Sequence, residues 1–472
     1  MSQETKNNKN NVGKRKLAYL IIVVSIYAVM SRMTPPEGLS VNGWRAIVLI
    51  ICATITWVTE YIPIGASSAL MLFLPQLLGL DTTGNVMKNF ATPTLFFIFS
   101  SILIARAFSK VGFGKRVSIH LISIFGNKSK NVLLGLMATT SLLSFFLADI
   151  PTGVIVGGIA YEILRKSNCL PGESTFGKSV MIGIPISAAV GGIATPAGSG
   201  VNILSINLLK SVTGIEIGFL QWSIVGVPTA LILTFVAWFV MSKLYKPEFE
   251  IVGGLENTKE EKAALGKMDK KEMIFAVVFF TTIVLWVTSS FTKLEVPFVS
   301  MLAASIYFLP GIDILEWNDA KEAVSLDILL LVGSCNAIAM LLATLGSAQW
   351  ISDTFLGGFA QSSLTVLLFA VSTFGIFIHL LVPISGAVMA LTIPIIAALA
   401  NTIGINPIYL VLPLAYTASC VFLIPLDPTA LTTYGYGYWE LKEMPKPGFI
   451  IGVLWIPILV VFMVLAINLG LI

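Results

Sequence analysis

Charged residues are scarce in this chain. They make up 11% of its 472 residues, whereas hydrophobic residues make up 56%. Soluble globular proteins devote about a quarter of their residues to charge, so this composition excludes a soluble globule. Apolar segments recur from about Leu17 to the last residue, and a membrane-spanning helix needs about 20 such residues. We therefore expect an all-α, polytopic membrane protein with almost no room for a soluble domain.

Histidine and cysteine are also rare. The two histidines, His120 and His379, lie too far apart for a metal site, and no nucleophile signature accompanies them. These features argue against an enzyme. His379 stands within an apolar run, where a polar side chain is costly, and is a minor functional candidate. Neither metal-ligand spacing nor a disulfide framework follows from the cysteines, which are Cys52, Cys169, Cys335 and Cys420.

No phosphate-binding loop is evident. Gly191, Gly192, Gly198 and Gly200 form a glycine-rich stretch, but no Lys-Ser or Lys-Thr pair follows it and no strand pattern precedes it. The net charge of +4 reflects basic loops and not an acidic partner. We therefore expect the chain to bind neither nucleotides nor nucleic acids.

The basic residues predict how the chain lies in the membrane. A polar tail with five lysines and arginines covers residues 1–16, and further basic stretches lie at 106–130 and 243–271. Because cytoplasmic loops carry an excess of Lys and Arg, all three are predicted to be cytoplasmic. No small-residue cleavage site follows the tail. We expect a retained first helix from about Leu17 to Ser31, in a multi-pass protein of the cell membrane.

The chain divides near its middle. The hydrophilic stretch 244–271 is the only convincing linker, and it separates two apolar halves. We expect the tail and first helix at 1–40, a first repeat at 41–243, a cytoplasmic linker at 244–271 and a second repeat at 272–472.

Both halves interrupt their apolar segments with proline and polar residues at matching positions. The sequence numbers of Pro151 and Pro383 differ by 232, and those of Pro196 and Pro428 differ by the same amount. Paired breaks of this kind in two apolar halves point to the midplane binding site of a secondary transporter. The breaks read Asp149-Ile150-Pro151-Thr152-Gly153 and Thr195-Pro196-Ala197-Gly198 in the first half, and Pro383-Ile384-Ser385-Gly386 and Asp427-Pro428-Thr429 in the second.

A third pair of segments supports this repeat. Thr94–Ser101 resembles Asp327–Ser334, and the sequence numbers of the terminal serines differ by 233. Five spans in each half after one initial helix would place the two copies in opposite orientations, which is the inverted-topology arrangement. Segments 91–101 and 327–336 look too short and too polar at the tip to span, so we expect re-entrant hairpins there.

Two aspartates stand at the breaks. Asp149 precedes Pro151 in the first half, and Asp427 lies between Pro425 and Pro428 in the second. An acidic residue at the centre of a membrane helix costs about 2.5–3.5 kcal/mol on insertion scales, so two of them at symmetric breaks indicate a function. We expect each to bind a cation or carry a proton. The alternative is a capping role at a freed helix N terminus.

Hydroxyl, amide and backbone groups cluster around the same breaks. Oxygen ligands suit a hard cation such as Na⁺, and hydroxyl and amide groups also bind anions. The candidate Na⁺ ligands, with H⁺ as the alternative coupling ion, are Ser144, Asp149, Gly198, Ser385, Thr417 and Asp427. The candidate substrate-binding residues are Pro151, Thr152, Ser199, Asn202, Pro383, Ser385, Pro428 and Thr429.

Three motifs resemble the divalent anion/sodium symporter family, in order along residues 40–470. Trp57–Pro63 reads Trp-Val-Thr-Glu-Tyr-Ile-Pro and is similar to a turn between that family's early helices. The stretch Gly191–Asn202 looks like the hairpin loop of its first half, and Tyr434–Gly448 is similar to its approach to the last helix.

The resemblance implies a fold and a mode of action. It implies about eleven transmembrane helices, two re-entrant hairpins and two inverted repeats. It also implies a homodimer in which a transport domain moves like an elevator against a fixed scaffold. Family members hold Na⁺ and substrate carboxylates with a Ser-Asn-Thr triplet in each half. Here the corresponding positions read Ala148-Asp149-Ile150 and Ile384-Ser385-Gly386.

We therefore predict a secondary active transporter, most simply a Na⁺-coupled symporter of a small organic or inorganic anion such as a dicarboxylate or sulfate. A carboxylate about 4 Å from a substrate anion costs roughly 4 kcal/mol at an effective dielectric constant of about 20. Two alternatives on the same fold are thus a cation/proton antiporter and a transporter of a monoanionic or zwitterionic substrate. A membrane sensor or structural subunit is disfavoured, since no soluble output domain is attached.

Overall fold

The computed structural model describes residues 3–59, 61–252, 266–359, 361–382 and 384–472. Within these ranges the regular elements are helices, together with one isolated β-bridge between Lys128 and Ile251. Glu60 and Pro383 lie outside the described residues, and so do residues 253–265 of the predicted linker.

The first half of the chain is helical almost throughout. Its helix α1 covers the basic tail as well as the apolar segment, so it begins earlier than the predicted Leu17. The helices are α1 (Gln3–Met30), α2 (Val41–Thr59), α3 (Ile64–Leu77), α4 (Thr83–Phe90), α5 (Pro93–Lys110), α6 (Phe113–Ile124), α7 (Ser129–Ser144), α8 (Asp149–Lys166), α9 (Thr175–Gly192), α10 (Gly200–Thr213) and α11 (Phe219–Leu244).

The second half follows a similar order of helices. After α20 the chain makes only short turns of 3-10 helix before the last long helix begins. The helices are α12 (Lys270–Val287), α13 (Ser289–Thr292), α14 (Val296–Ile306), α15 (Trp317–Ala323), α16 (Leu326–Thr344), α17 (Ser347–Ile351), α18 (Leu364–Phe377), α19 (Ser385–Thr402), α20 (Ile408–Thr417) and α21 (Pro445–Asn468).

Helix ends follow from local side-chain chemistry. The Ser174 hydroxyl accepts the N–H of Gly177 at 2.9 Å where α9 begins, and the Asp269 carboxylate accepts the N–H of Glu272 at 2.7 Å where α12 begins. Such caps satisfy backbone donors that the first turn of a helix leaves without partners. At its far end α10 stops at Gly214, whose φ of 75° is a left-handed conformation that glycine adopts readily.

Several of these helices can cross a membrane. Within the described residues, six segments are long and apolar enough to do so: Val41–Thr59, Thr83–Lys110, Phe219–Leu244, Leu326–Thr344, Ser385–Thr402 and Leu441–Asn468. Shorter apolar helices accompany them, among them Ile64–Leu77 and Val296–Ile306. The predicted all-α polytopic membrane fold is confirmed, whereas the total of about eleven spanning helices stays a prediction.

The helices of the two halves correspond along the chain. The first residues of α3 and α14 differ by 232 in sequence number, those of α5 and α16 differ by 233, and those of α9 and α20 also differ by 233. Contacts between the halves are reciprocal as well: α3 packs against α16, and α14 packs against α5. Exchange of equivalent partners in this way is what a two-fold relation between the halves requires.

The prediction that re-entrant hairpins lie at 91–101 and 327–336 is wrong. Both segments belong to continuous helices, α5 and α16. One serine of each tip is satisfied within its helix, because the Ser100 hydroxyl donates to Phe96 O at 2.7 Å and the Ser334 hydroxyl donates to Leu331 O at 2.9 Å. The Phe90 ring packs where Gly333 has no side chain, so this glycine is a packing site.

Ion pairs join α5 of the first half to α15 of the second. Lys110 Nζ lies 2.5 Å from Asp319 Oδ2, and Arg106 Nη2 lies 3.1 Å from Asp319 Oδ1. The Asp319 side chain is 9% exposed. The hydrogen bond from Lys110, followed by one from the Glu316 N–H, lowers the pKa of Asp319 to about 2. The equivalent contact on the other side joins α4 of the first half to α16 of the second. It is an uncharged hydrogen bond, in which Asn336 Nδ2 donates to Asn89 O at 2.5 Å.

Candidate substrate and cation site

Two chain breaks of the first half meet in the interior. One separates α7 from α8 at residues 145–148, and the other separates α9 from α10 at 193–199. A methyl group on Gly198 would lie 2.6 Å from Ser144 O and closer still to Gly192 O. Only glycine fits at a backbone approach this close. Gly198 therefore lets its loop come into close contact with the carbonyl groups of Ser144 and Gly192.

Asp149 lies at this junction. It is the first residue of α8, it is 8% exposed, and its Oδ1 accepts the N–H of Ile150 at 2.9 Å. Its Oδ2 lies 3.4 Å from Ser199 Oγ and 3.4 Å from Thr429 Oγ1. The carboxylate thus contacts residues of both halves of the chain, 50 and 280 positions away.

Asp427 lies on the other side of Thr429. Its Oδ1 accepts the Thr429 N–H at 2.9 Å, and its Oδ2 lies 3.4 Å from the hydroxyl of Ser385, the first residue of α19. Thr429 therefore contacts one carboxylate through its side chain and the other through its backbone. The structure brings together five of the predicted site residues, Asp149, Ser199, Ser385, Asp427 and Thr429, and their roles as ligands stay a prediction.

The loop at 193–199 is held in place by hydrogen bonds. Asn202 Nδ2 donates to Gly192 O at 2.7 Å and to Thr195 O at 2.9 Å. Trp222 Nε1 of α11 donates to Ile193 O at 2.8 Å. The amide oxygen of Asn202 is a buried acceptor that has no donor within the described residues. A buried acceptor without a donor is costly, and a cation would satisfy it.

The donor set of the first half suits a hard cation. A carboxylate, carbonyl oxygens, hydroxyls and the Asn202 amide oxygen lie on neighbouring parts of two loops, and hard cations take oxygen ligands. A methyl group on Gly192 would come within 3.5 Å of Asp149 Cβ and 3.6 Å of Ser144 Oγ, which places these residues side by side. Gly192 was not among the predicted ligands, although its doublet with Gly191 signalled a close approach.

The remaining predicted residues occupy varied positions. The Thr152 hydroxyl donates to Leu147 O at 3.4 Å, and the Ser144 hydroxyl donates to Ala188 O at 2.7 Å. Pro151 is half-buried in the first turn of α8, where a missing N–H costs little. Pro428 is exposed beside Asp427. The prediction for Pro383 falls on a residue outside the described ranges.

Two further candidates are Thr417, the last residue of α20, and His379, which follows α18. The Thr417 hydroxyl donates to Leu414 O at 2.7 Å and packs against Gly375 of α18. No hydrogen bond joins Thr417 to Asp427 within the described residues, and its assignment as a Na⁺ ligand stays a prediction. His379 is 1% exposed, and its Nδ1 lies 2.9 Å from Gly375 O at the end of α18.

Comparison with known proteins decides the family. The sequence matches the sodium:sulfate symporter transmembrane region over residues 14–471. The chain belongs to this family. It is therefore a membrane transporter, from a family of sodium-coupled anion symporters, and not an enzyme.

Related proteins agree with this membership, and a solved structure shares the fold. A sodium-dependent dicarboxylate transporter of Staphylococcus saprophyticus is 26% identical, over 97% of this chain and 92% of its own length. Its counterpart in Staphylococcus aureus strain USA300 is 27% identical, over 92% of this chain and 88% of its own length. The YdaH transporter of Alcanivorax borkumensis covers 90% of this chain with a TM-score of 0.59, and at 11% identity it is similar in fold alone.

Proposed function

We propose that this protein is a Na⁺-coupled symporter of a small organic or inorganic anion in the cell membrane, with Asp149 as a ligand of the coupling cation. The position of Asp149 carries the proposal. Its carboxylate lies where both broken segments of the first half meet, and it also contacts Thr429 of the second half. A cation bound there would touch both halves of the binding site.

The carboxylates of Asp149, which is buried, and of Asp427, which is half-buried, supply a physical reason for coupling. An anion about 4 Å from an uncompensated carboxylate is repelled by roughly 4 kcal/mol at an effective dielectric constant of about 20. A cation on Asp149 removes this repulsion before the substrate enters. Substrate and cation then favour each other's binding, which is what symport requires.

The transport movement is proposed to follow an elevator mechanism on two inverted repeats. The reciprocal packing of α3 with α16 and of α14 with α5 supports a two-fold relation between the halves. These four helices form one unit, the scaffold, and the broken helices with the aspartates form the other, which would move against it. A homodimer with a cytoplasmic N terminus completes the proposal. Cysteine cross-linking between scaffolds in membranes tests the dimer, and labelling of a cysteine placed in the N-terminal tail with a membrane-impermeant reagent tests its side.

Transport into proteoliposomes tests the coupling. An inward Na⁺ gradient should drive uptake of a radiolabelled anion, and replacing Na⁺ with choline should abolish it. Asp149→Asn should lower Na⁺-driven uptake by about tenfold or more, because a neutral amide binds the cation more weakly. Asp313→Asn is the matched control, since Asp313 is exposed in a left-handed conformation that asparagine tolerates. Uptake that is equal with Na⁺ and choline would contradict the proposal.

A cation/proton antiporter is the second candidate. The bridging of Asp149 and Asp427 by Thr429 favours it, since linked carboxylates can share or exchange a proton. Addition of Na⁺ to vesicles loaded with a pH-sensitive dye, without any organic substrate, should then drive protons out. Absence of such a signal, with intact Na⁺-driven anion uptake, decides for the symporter.

A further inference from the structure

A groove lined by apolar side chains lies between α18, α19 and the segment 351–359 that precedes α18. It has a volume of about 320 Å³ and is open to the surface on one side. Among the described residues that line it, Thr392 alone carries a polar side chain, and its hydroxyl donates to Val388 O at 2.7 Å. The groove therefore offers no free polar side chain to a ligand.

The surface around this groove is apolar as well. Phe355, which lines it, is 68% exposed, and Val366, Phe369 and Phe374 of α18 are also exposed. Neither α18 nor α19 contains a charged residue. In water an exposed apolar patch of this kind is a liability. This chain belongs to a family of membrane transporters, however, and α19 is long and apolar enough to span. The groove therefore opens towards lipid.

A polar rim marks one end of the groove. Gln349 Nε2 donates to Asp353 Oδ1 at 2.8 Å and to Thr402 Oγ1 at 2.9 Å, and all three residues are exposed. The ring of Trp350 lies beside them, 6.1 Å from the ring of Phe355. Tryptophan is enriched where a membrane meets water. The rim therefore lies at the membrane surface, and the groove extends from it into the hydrocarbon.

The dimensions of the groove fit part of an acyl chain. On α19 its lining runs from Leu399, one turn from the rim, to Thr392, which lies about 10 Å deeper at the rise of an α-helix. An apolar cavity of ~150 Å³ admits benzene, so 320 Å³ admits a chain of about ten carbon atoms. Water avoids an apolar cavity, and an empty cavity forfeits contacts with its walls. The bilayer supplies chains that fill it.

The corresponding place in the first half is filled by the protein itself. Helix α6 precedes α7 there, as the segment 351–359 precedes α18. The Phe125 ring packs against Gly135 of α7, 3.0 Å from where a methyl group would stand. In the second half, residues 352–356 form a π-helical turn, a rare conformation that is frequent at functional sites. The second half therefore leaves a groove where the first half is closed.

We propose that this groove binds one acyl chain of a membrane phospholipid, whose headgroup lies at the polar rim of Gln349, Asp353 and Thr402. The bound chain joins the segment 351–359 to α19, and the first residue of α19, Ser385, contacts Asp427 in the candidate site. The lipid is thus a structural component attached to a helix of that site. The groove holds the chain whichever cation or anion the protein carries, so the proposal goes beyond the proposed function.

Photo-cross-linking tests the site. The purified full-length protein is placed in nanodiscs of phosphatidylcholine that carries a diazirine at a chosen depth in one acyl chain, and labelled residues are mapped by mass spectrometry. A diazirine near the headgroup should label Leu399, whereas one further down the chain should label Thr392. Both labels should exceed that at Val461, an exposed residue of the spanning helix α21, by about fivefold or more, because a held chain stays beside the groove.

Substitutions that fill the groove give the second test. Ala370 lines it, so Ala370→Phe should lower the labels at Leu399 and Thr392 by about fivefold or more. Val461→Phe is the control and should leave both labels unchanged. Phosphatidylcholine added to the delipidated protein should raise the Tm of the wild type by several degrees, because a ligand stabilises the state that binds it. The rise should be less than half as large in Ala370→Phe. If that variant does not fold, Ala370→Leu replaces it.

Two results would overturn the inference. The first is wild-type labelling at Leu399 and Thr392 that is no stronger than at Val461, as expected if a second copy of the chain covered the groove. The second is labelling of these two residues that persists undiminished in a folded Ala370→Phe or Ala370→Leu protein, which would place the lipid elsewhere. Neither result bears on Na⁺-driven anion uptake, which is measured separately.

Discussion

The break between α9 and α10 and the break after α20 occupy equivalent places in the two halves, yet they are built differently. The first is a loop of seven residues, 193–199, held by Asn202 and Trp222 and closed by the approach of Gly198 to Ser144. The second runs from the end of α20 at Thr417 to the start of α21 at Pro445. A repeat can therefore keep the place of a break while the two copies diverge in the chemistry they offer.

Glycine substitutions address the largest difference between the halves. Gly198→Ala should destabilise the protein by about 3 kcal/mol and abolish the Na⁺ response, because the new methyl group meets backbone atoms that cannot move aside. The repeat-equivalent change, Ala430→Gly, should leave the Na⁺ response within about twofold, with a cost of about 1 kcal/mol from added chain entropy. Thermal unfolding with and without Na⁺ measures both. Equal effects would show that the halves are equivalent after all.

Substitution of Asn202 is expected to have the second largest effect on stability. Asn202→Ala removes two buried hydrogen bonds and should cost about 2–3 kcal/mol of unfolding free energy. Its repeat equivalent is Tyr434, which is partly exposed, and Tyr434→Ala should cost less than about 1 kcal/mol. Denaturation of the two purified variants in detergent makes the comparison. A larger loss in the tyrosine variant would contradict the view that the first loop is the braced one.

Thr429 connects the two sites, so its hydroxyl should matter more for coupling than for stability. Thr429→Val keeps the shape of the side chain but removes the contact with Asp149, and a hydrogen bond of this kind contributes about 1 kcal/mol. We expect the Na⁺ concentration for half-maximal uptake to rise about fivefold. Thr344→Val, on an exposed position of α16, is the control and should not change it. An unchanged Na⁺ dependence in Thr429→Val would separate the two carboxylates functionally.

Substitution of Asp319, which pairs with the scaffold helix α5, is expected to have the smallest effect on stability. Salt bridges at Asp319 lower its pKa to about 2, so their stabilisation is complete above the unfolded pKa of 3.8 and is lost as the pH falls towards 2. Asp319→Asn should therefore cost about 1 kcal/mol at pH 6, a figure reduced because Lys110 and Arg106 are over a third exposed. The deficit should shrink below pH 4 in thermal unfolding.

Sequence patterns picked out residues that lie together in the structure, but they misplaced the hairpins. Asp149 and Asp427 were recognisable because an ionisable residue in an apolar membrane segment is costly and is seldom kept without a function. The hairpins predicted at 91–101 and 327–336 were misplaced because serine and glycine occur both in hairpin tips and in packed helices. Which of these applies depends on whether a neighbour fills the glycine's place. For Gly333 that neighbour is Phe90, which belongs to the other half of the chain.

The sequence by itself determined that this is a membrane transporter and predicted two related halves, because composition, family membership, repeated breaks and charged residues within apolar segments are properties of the chain alone. Only the tertiary structure decided that Thr429 joins both aspartates and that the carbonyl groups of Ser144, Gly192 and Gly198 converge beside Asp149. The reason is physical. Contacts between residues 280 positions apart depend on how helices pack, and a repeat in sequence does not reveal which copy retains the close backbone approach.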